Sequence, residues 1–327
     1  MSTEDILGRF PGLRALVVGD ICLDRWCRYD PAAADVSRET GIPRIGVVAT
    51  QTTAGAGGTV ATNLVALGAG QVGVLGVIGQ DGFGYELKRT LGRIGIQTDL
   101  LLEVDGSQTF TYTKLINNQT GVEDQPRVDF ISTRDFAPEV QRQIIQRLHW
   151  SVEEYDVILV SDQAETEHGG VVTAGVRETI SDLARKHPAK VFWADSRLRL
   201  ELFRDVVAKP NLQEAREASK RLLGRVDLQE LRRVIGDKPL VVTCGAEGAQ
   251  VIESGGTRWV PGAPVEHPVD VCGAGDSFSA GAALTLAVTG SAFEAARIGN
   301  LVASVTIMKP GTGTASPAEV LQAEARS

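Results

Sequence analysis

Short apolar blocks and longer amphipathic stretches alternate along this chain. Arg14-Ala15-Leu16-Val17-Val18-Gly19-Asp20 is an apolar run that closes on Gly-Asp, and runs of similar length recur at 72–78, 157–160, 190–194 and 240–243. Blocks this short and this uniformly apolar predict strands buried on both faces, as in a parallel sheet. Between them, apolar residues fall three and four apart near 84–94, 138–149, 171–186 and 228–235, which predicts helices that bury one side. Strand alternating with helix gives an α/β fold: a doubly wound, mostly parallel sheet with helices on both faces. In such sheets ligands bind beyond the carboxyl ends of the strands, and the first block delivers Asp20 to that edge.

Two segments, 28–51 and 108–132, break the rhythm. They alternate apolar and polar residues, as in Thr109-Phe110-Thr111-Tyr112-Thr113-Lys114-Leu115-Ile116, and contain few helix formers. A small antiparallel sheet projecting as a lid beside the strand ends is the simplest placement. Two long bare surface loops are the alternative, and loop lengths in compact domains disfavour it. With no internal repeat and no linker, residues 1–327 read as one domain carrying this lid.

Composition narrows the chemistry. At 43% hydrophobic and 23% charged residues the chain is of ordinary soluble type, and its net charge of −8 gives no bulk attraction for nucleic acid or an anionic membrane. A phosphate handled here must therefore be held locally. Met1 to Arg14 has no apolar run of signal-peptide length and no stretch is long enough to span a bilayer, so a cytoplasmic protein is expected. Cys22, Cys27, Cys244 and Cys272 lack zinc-site spacing and read as reduced thiols. Asn118-Gln119-Thr120 matches a glycosylation sequon, accidental in a chain without a secretion signal.

The stretch richest in chemistry is Asp270-Val271-Cys272-Gly273-Ala274-Gly275-Asp276-Ser277-Phe278-Ser279-Ala280-Gly281, which opens an alanine-rich helix running to about Val288. Without bulky side chains, the backbone at Gly273, Ala274 and Gly275 can approach a ligand closely, and the N–H groups of a helix start favour an anion. Asp276 in the first turn is placed to accept a proton from a substrate hydroxyl. The plainer alternative is an acidic helix cap with glycines for tight packing, and spacing alone does not separate the two.

Asp-x-x-Gly-Ala-Gly-Asp followed by Phe and Gly resembles the signature of the ribokinase-like (PfkB) carbohydrate kinases. The resemblance implies Asp276 as base and the amides of Gly273, Ala274 and Gly275 as anion hole. It extends over nearly the whole chain. Gly19-Asp20 and Asp24 resemble the family's first-strand motif, where an aspartate holds sugar hydroxyls. Gly55-Ala56-Gly57-Gly58-Thr59, ahead of Asn63, is similar to its sugar-binding Gly-Gly motif, and Gly79-Gln80-Asp81-Gly82-Phe83-Gly84 to its Gly-x-Asp-x-x-Gly turn. Asn211-Leu212-Gln213-Glu214 resembles the Asn-x-x-Glu motif, which implies Mg2+ near Glu214, directly or through water. Thr243, Gly245 and Gly248 resemble the nucleotide-site turn; Asn300 lies where the family closes on adenine, and Asp270 with Gly311 where it binds a monovalent cation such as K+.

Each motif also has a plainer reading: Asp20 as a strand-end cap, the glycines at 55, 57 and 58 as a tight turn, Glu214 as a solvated helix acid, Thr243 as part of a β-turn. Within the family, Gly19-Asp20-Ile21-Cys22-Leu23-Asp24-Arg25-Trp26, Ser37–Pro43, Arg127-Val128-Asp129-Phe130 and Ser161-Asp162 are most similar to the heptose 7-phosphate kinases of ADP-heptose synthesis. That branch implies an anomeric hydroxyl as acceptor and a sugar already phosphorylated, for which Arg38, Lys114 and Arg127 are candidate cations. Departures count against it. Thr59 stands where an asparagine is usual, and Gln163 and Glu165 replace a tyrosine and a lysine. The chain ends after the kinase motifs, so no fused nucleotidyltransferase is expected.

ATP with Mg2+ and a sugar or sugar phosphate are thus the expected ligands, and lid-mediated homodimerisation is expected from the resemblance. Three alternatives stay open. One is another kinase of the family acting on ribose, fructose, a hexose phosphate or a nucleoside. Another is a catalytically weak sugar- or nucleotide-binding regulator. The weakest is a dinucleotide oxidoreductase, because Gly55-Ala56-Gly57-Gly58 does not directly follow the first strand.

Overall fold

A computed structural model describes residues 1–166 and 168–326. Its main sheet has eight strands, in spatial order Gly256–Pro261, Gly248–Glu253, Leu240–Thr243, Val207–Ala208, Val191–Ser196, Val157–Asp162, Arg14–Gly19 and Gln71–Leu75. From Leu240–Thr243 to Gln71–Leu75 every neighbouring pair is parallel, with Val17 opposite both Leu159 and Val74. The two strands beyond form an antiparallel hairpin on the edge. The alternation of side chains explains why these runs are apolar throughout. Ala15 and Val17 pack with Leu159 and Val74 on one face, while Leu16 and Val18 pack with Ile158 and Val160 on the other.

Helices Pro138–Ser151 and Ala174–Lys186 cover the second face through Ile144, Leu148, Val176 and Ile180. The first is covered by Gly57–Ala66, Ala274–Thr289 and Ala292–Thr306, whose small residues let helices lie close. These three helices carry a weaker period than Pro138–Ser151 and Ala174–Lys186, since Ala and Gly satisfy both faces, and periodicity alone misses Ala292–Thr306.

The small sheet has four strands in the order Val128–Phe130, Thr111–Asn117, Ile21–Tyr29 and Val47–Ala56. It differs from expectation in two ways. Ile21–Tyr29 pairs antiparallel with Val47–Ala56 but parallel with Thr111–Asn117. The sheet also starts at Ile21 rather than at residue 28, because Ile21, Cys22 and Leu23 are buried where the two sheets meet and so read as core. The main-sheet strand Arg14–Gly19 therefore runs, after Asp20 alone, into the projecting sheet.

Asp20 is the pivot between the sheets. One carboxylate oxygen accepts the N–H groups of Gln163 and Ala164, each at 2.8 Å, and the other that of Val171 at 2.9 Å. At 1% exposure this carboxylate is used up inside the protein, and burial raises its pKa against those three bonds and the Arg199 charge. Removing it strands three buried N–H donors, each costing about 1–3 kcal/mol. Asp20→Ala should lower unfolding stability by about 3–5 kcal/mol in urea titration. A midpoint within error of the unaltered protein would show that the 163–171 loop does not depend on Asp20.

Candidate active site

At the carboxyl edge of the main sheet two cavities meet, one of about 790 Å³ and one of about 180 Å³. The larger is bordered by Lys209, Glu214, Thr243, Asn300 and the turn at 273–276. The smaller lies against the projecting sheet and is bordered by Asp24, Trp26, Thr59, Tyr112, Lys114 and Arg127. Gln163, Arg197, Gly273 and Asp276 border both.

The turn explains the junction. Gly273 caps helix Ala274–Thr289 with φ +76°, a left-handed conformation that glycine adopts without strain. A side chain there would also press to 3.2 Å on Thr59 and Thr312. The Ala274 N–H donates to Val271 O at 3.2 Å, so its amide is spent within the turn. Among the described residues the N–H groups of Gly273, Gly275 and Asp276 have no protein acceptor. The acceptor-free amides thus differ from the expected Gly273–Ala274–Gly275 set in one member, Asp276 in place of Ala274, because the left-handed start tightens the first turn around Ala274.

Asp276 is half-buried at the junction. Burial and the neighbouring Asp195 push its pKa up to about 7, while Lys209 and Arg197 pull it down. Asp24 is likewise raised, to about 6, by burial against the charges of Lys114 and Arg127. Lys114 Nζ lies 4.5 Å from the centre of the Trp26 ring and 3.7 Å from Glu123. Arg127 lies over Tyr112 and holds Asp129 at 2.7 Å. Arg38, the third candidate cation, is on the exposed tip of the hairpin Asp35–Val36/Pro43–Arg44, outside the lining of either cavity.

On the side of the large cavity, Asn211 and Glu214 form a reciprocal capping box at the start of helix Leu212–Leu223. Burial raises the Glu214 pKa. Thr243 bridges to Asn211, Gly245 and Gly248 shape the turn beside it, and Asn300 Nδ2 donates to Pro261 O at 3.0 Å. Asp270 and Gly311 also meet, but the Asp270 carboxylate accepts the N–H of Gly311 at 3.1 Å and that of Cys272 at 2.9 Å.

Several expected substrate contacts lie elsewhere. Asp20 is consumed by the loop amides and borders neither cavity; Asp24, four residues on, does. Gly57 and Gly58 are buried, with side-chain space filled by Ile21 and Ala54. Asn63 is buried as well, its Nδ2 donating to Thr59 O and Gly313 O. These residues shape the wall from behind. Two cations were missed by sequence reasoning, Lys209 and Arg197. Lys209 directly precedes the Pro210-Asn211 step, and its Nζ sits 2.6 Å from Asp195 with both groups buried. A side chain at Gly275 would lie 3.2 Å from that ammonium, which puts a buried positive charge under the turn with the acceptor-free amides. Among the described residues no group of three or more His, Cys, Asp or Glu could hold a metal, and no helix is long and apolar enough to cross a membrane.

The model of the pfkB family of carbohydrate kinases matches residues 15–319. The Bifunctional protein HldE of Trichlorobacter lovleyi is 31% identical over 98% of this chain, and that of Nitratiruptor is 31% identical over 95%. This chain spans 64% and 65% of the length of those relatives. Among solved structures, Thermotoga maritima ribokinase aligns over 96% of this chain and 99% of its own, with TM-score 0.70 and 18% identity. Escherichia coli phosphofructokinase-2 in complex with potassium aligns over 96% and 98%, with TM-score 0.69 and 18% identity. At such identity the structural likeness speaks for the fold.

Breaking a buried ion pair by removing one partner costs about 3–5 kcal/mol, since the other charge is left unpaired. Lys209→Met should therefore unfold at clearly lower urea, and Asp195→Asn added to it should restore most of the loss. Equal midpoints for Lys209→Met and the unaltered chain would mean that the pair supports nothing.

Proposed function

The chain belongs to the pfkB family of carbohydrate kinases, and from that premise we propose that it transfers the γ-phosphoryl group of ATP to a hydroxyl of a sugar phosphate, with the anomeric hydroxyl of a heptose 7-phosphate as first candidate. The family makes it a phosphotransferase with an alcohol acceptor. The observation that carries the proposal is the position of Asp276, at the one point where both cavities open onto amides without acceptors. The large cavity takes the nucleotide; the small one takes the sugar. Asp24, rather than Asp20, holds sugar hydroxyls, with Thr59 beside it.

Lys114 and Arg127 in a cavity this small favour an acceptor that already carries a negative group. The heptose reading rests on the sequence resemblance and is supported by the similarity to the HldE proteins. Glu165, which replaces the lysine usual in that branch, borders the same cavity and pairs with Arg197. A different phosphorylated acceptor is therefore the natural second candidate.

In the transfer, the acceptor oxygen bonds to the γ-phosphorus as the bond to the β,γ-bridging oxygen breaks, and that electron pair leaves on ADP. Asp276 orients the hydroxyl and takes its proton late, as suits a loose transition state. The amides of Gly273 and Gly275 and the Lys209 ammonium stabilise charge on the moving group. Mg2+ binds few protein oxygens, and the Glu214 carboxylate at the cavity edge, one oxygen of which caps Asn211, would hold a largely water-bound ion. Such an ion would neutralise phosphate charge. A monovalent cation such as K+, implied by the resemblance at Asp270 and Gly311, would have to share the Asp270 carboxylate with the N–H groups of Gly311 and Cys272. Closing of the projecting sheet over the sugar keeps water from competing for the phosphoryl group. Its exposed Val47 and Val48, with Val36 and Ile42 on the neighbouring hairpin, support pairing with a second copy as a homodimer.

ADP release with ATP, Mg2+ and a panel of heptose 7-phosphate, fructose 6-phosphate, fructose, ribose and a nucleoside tests the proposal. Sugar-dependent release on a phosphorylated member is expected, and Asp276→Asn should cut kcat by about 10²–10⁴. Binding of sugar and nucleotide with no turnover on any member would point instead to a regulator. The base must be ionised to work. With its pKa raised to about 7, kcat should fall about tenfold per pH unit below 7 and level off above it. A flat profile between pH 5 and 8 would remove Asp276 from the role of base.

A further inference from the structure

Arg197 lies where the chemistry converges, and neither the motifs nor the fold assigns it a task. It follows strand Val191–Ser196 directly, and its N–H donates to Asp162 O at 3.1 Å, so its backbone is anchored to the carboxyl edge of the sheet. Among the described residues it is the one cationic side chain that borders both cavities. Lys114 and Arg127 border the small cavity alone and are engaged by Trp26, Glu123, Tyr112 and Asp129. Lys209 borders the large cavity alone, buried and neutralised by Asp195 at 2.6 Å. None of these three can follow a group that moves from one cavity to the other.

The guanidinium of Arg197 is held lightly. Its Nε donates to Gln163 Oε1 at 2.8 Å and one Nη to Glu165 Oε1 at 2.7 Å, while its other N–H donors have no protein partner among the described residues. The Arg197 and Glu165 side chains are 53% and 67% exposed, and an ion pair in that much water is weak. A phosphoryl dianion offers a better match, because the planar fork of arginine meets phosphate oxygens two at a time. Charge balance points the same way. Asp276 feels Asp195 and Asp24 against Lys209 and Arg197, so of the two cations that act most on it Arg197 is the one not already neutralised by a buried carboxylate.

We propose that Arg197 is a catalytic residue, which leaves Gln163 and Glu165 when both substrates are bound and donates to the oxygens of the phosphoryl group as it passes from nucleotide to acceptor. The proposal deepens the kinase reading and rests on it. Arg197 exchanges no proton: the acceptor hydroxyl gives its proton to Asp276, the acceptor oxygen takes phosphorus, and ADP leaves with the electron pair. Arg197 compensates the charge that spreads over the equatorial oxygens in between. Gln163 and Glu165 park the side chain clear of the junction while the site is empty.

The test compares Arg197→Ala and Arg197→Lys with the unaltered chain, using ATP, Mg2+ and whichever acceptor of the panel supports turnover. Arg197→Ala should lose about 10²-fold in kcat, the scale of one donor to a developing anion, with KM for ATP and acceptor each within about threefold. Arg197→Lys, which keeps the charge but not the fork, should recover at least about tenfold of that loss. The acid limb of the Arg197→Ala pH profile should move to higher pH, because Asp276 would lose a cation that favours its ionised form. Thermal midpoints should be unchanged, since the side chain is exposed. The idea is overturned if Arg197→Ala keeps kcat within about threefold, if the whole loss lies in KM for the acceptor, or if the acid limb stays in place. An unaltered chain that releases no ADP with any acceptor would sink the kinase reading itself, and this proposal with it.

Discussion

The site depends on one buried ion pair. Lys209 and Asp195 lie at the ends of neighbouring parallel strands and meet at 2.6 Å, both largely buried beneath the large cavity. Ser279, on the helix that begins at the anion-binding turn, reaches Asp195 at 3.5 Å, so sheet edge and helix are tied at one place. In a medium of low polarity neither charge would be tolerable alone. Together they leave a positive end beneath Gly275 and a negative one beside Asp276, and this pattern, with burial, places the Asp276 proton near neutral pH. The free amides above the pair could not attract an anion so close to three carboxylates if the ammonium were not fixed there.

The second constraint is continuity of the backbone between the two sheets. One residue separates the main-sheet strand Arg14–Gly19 from the small-sheet strand Ile21–Tyr29. Asp20 fills that position and binds three amides of the loop after Val157–Asp162, which locks the projecting sheet to the edge where the two cavities meet. Asp24 then emerges into the small cavity with its carboxylate unpaired by backbone. Two acids four residues apart thus do different work. The first is spent on the scaffold and the second borders the small cavity.

Phosphate handling in a chain of net charge −8 is resolved by layering cations by mobility. Lys209 is immobile and buried, Lys114 and Arg127 are steadied by aromatic faces, and Arg197 is tethered by contacts that water already weakens. In the proposed transfer Lys209 offers a fixed charge beneath the phosphoryl group, Lys114 and Arg127 face the negative group the acceptor already carries, and Arg197 is the one able to shift along the path.

The sequence by itself determined the parts of the protein that arise from local chemistry. Short apolar runs marked the strands Arg14–Gly19, Val157–Asp162, Val191–Ser196 and Leu240–Thr243, and a side-chain-poor turn ahead of Asp276 marked the helix start. Family membership followed from those same short motifs, because their glycines and acids are needed at fixed spacing. Which acid faces solvent was decided only in three dimensions. Asp20 and Asp24 are indistinguishable as residue types, and burial by a loop more than 140 positions away separates them. The same holds for Lys209 and Arg197, whose roles come from Asp195, Gln163, Glu165 and Asp276 gathering at one sheet edge. Charge interactions act through space, and the distances that set them exist only once the sheet has brought its strand ends together.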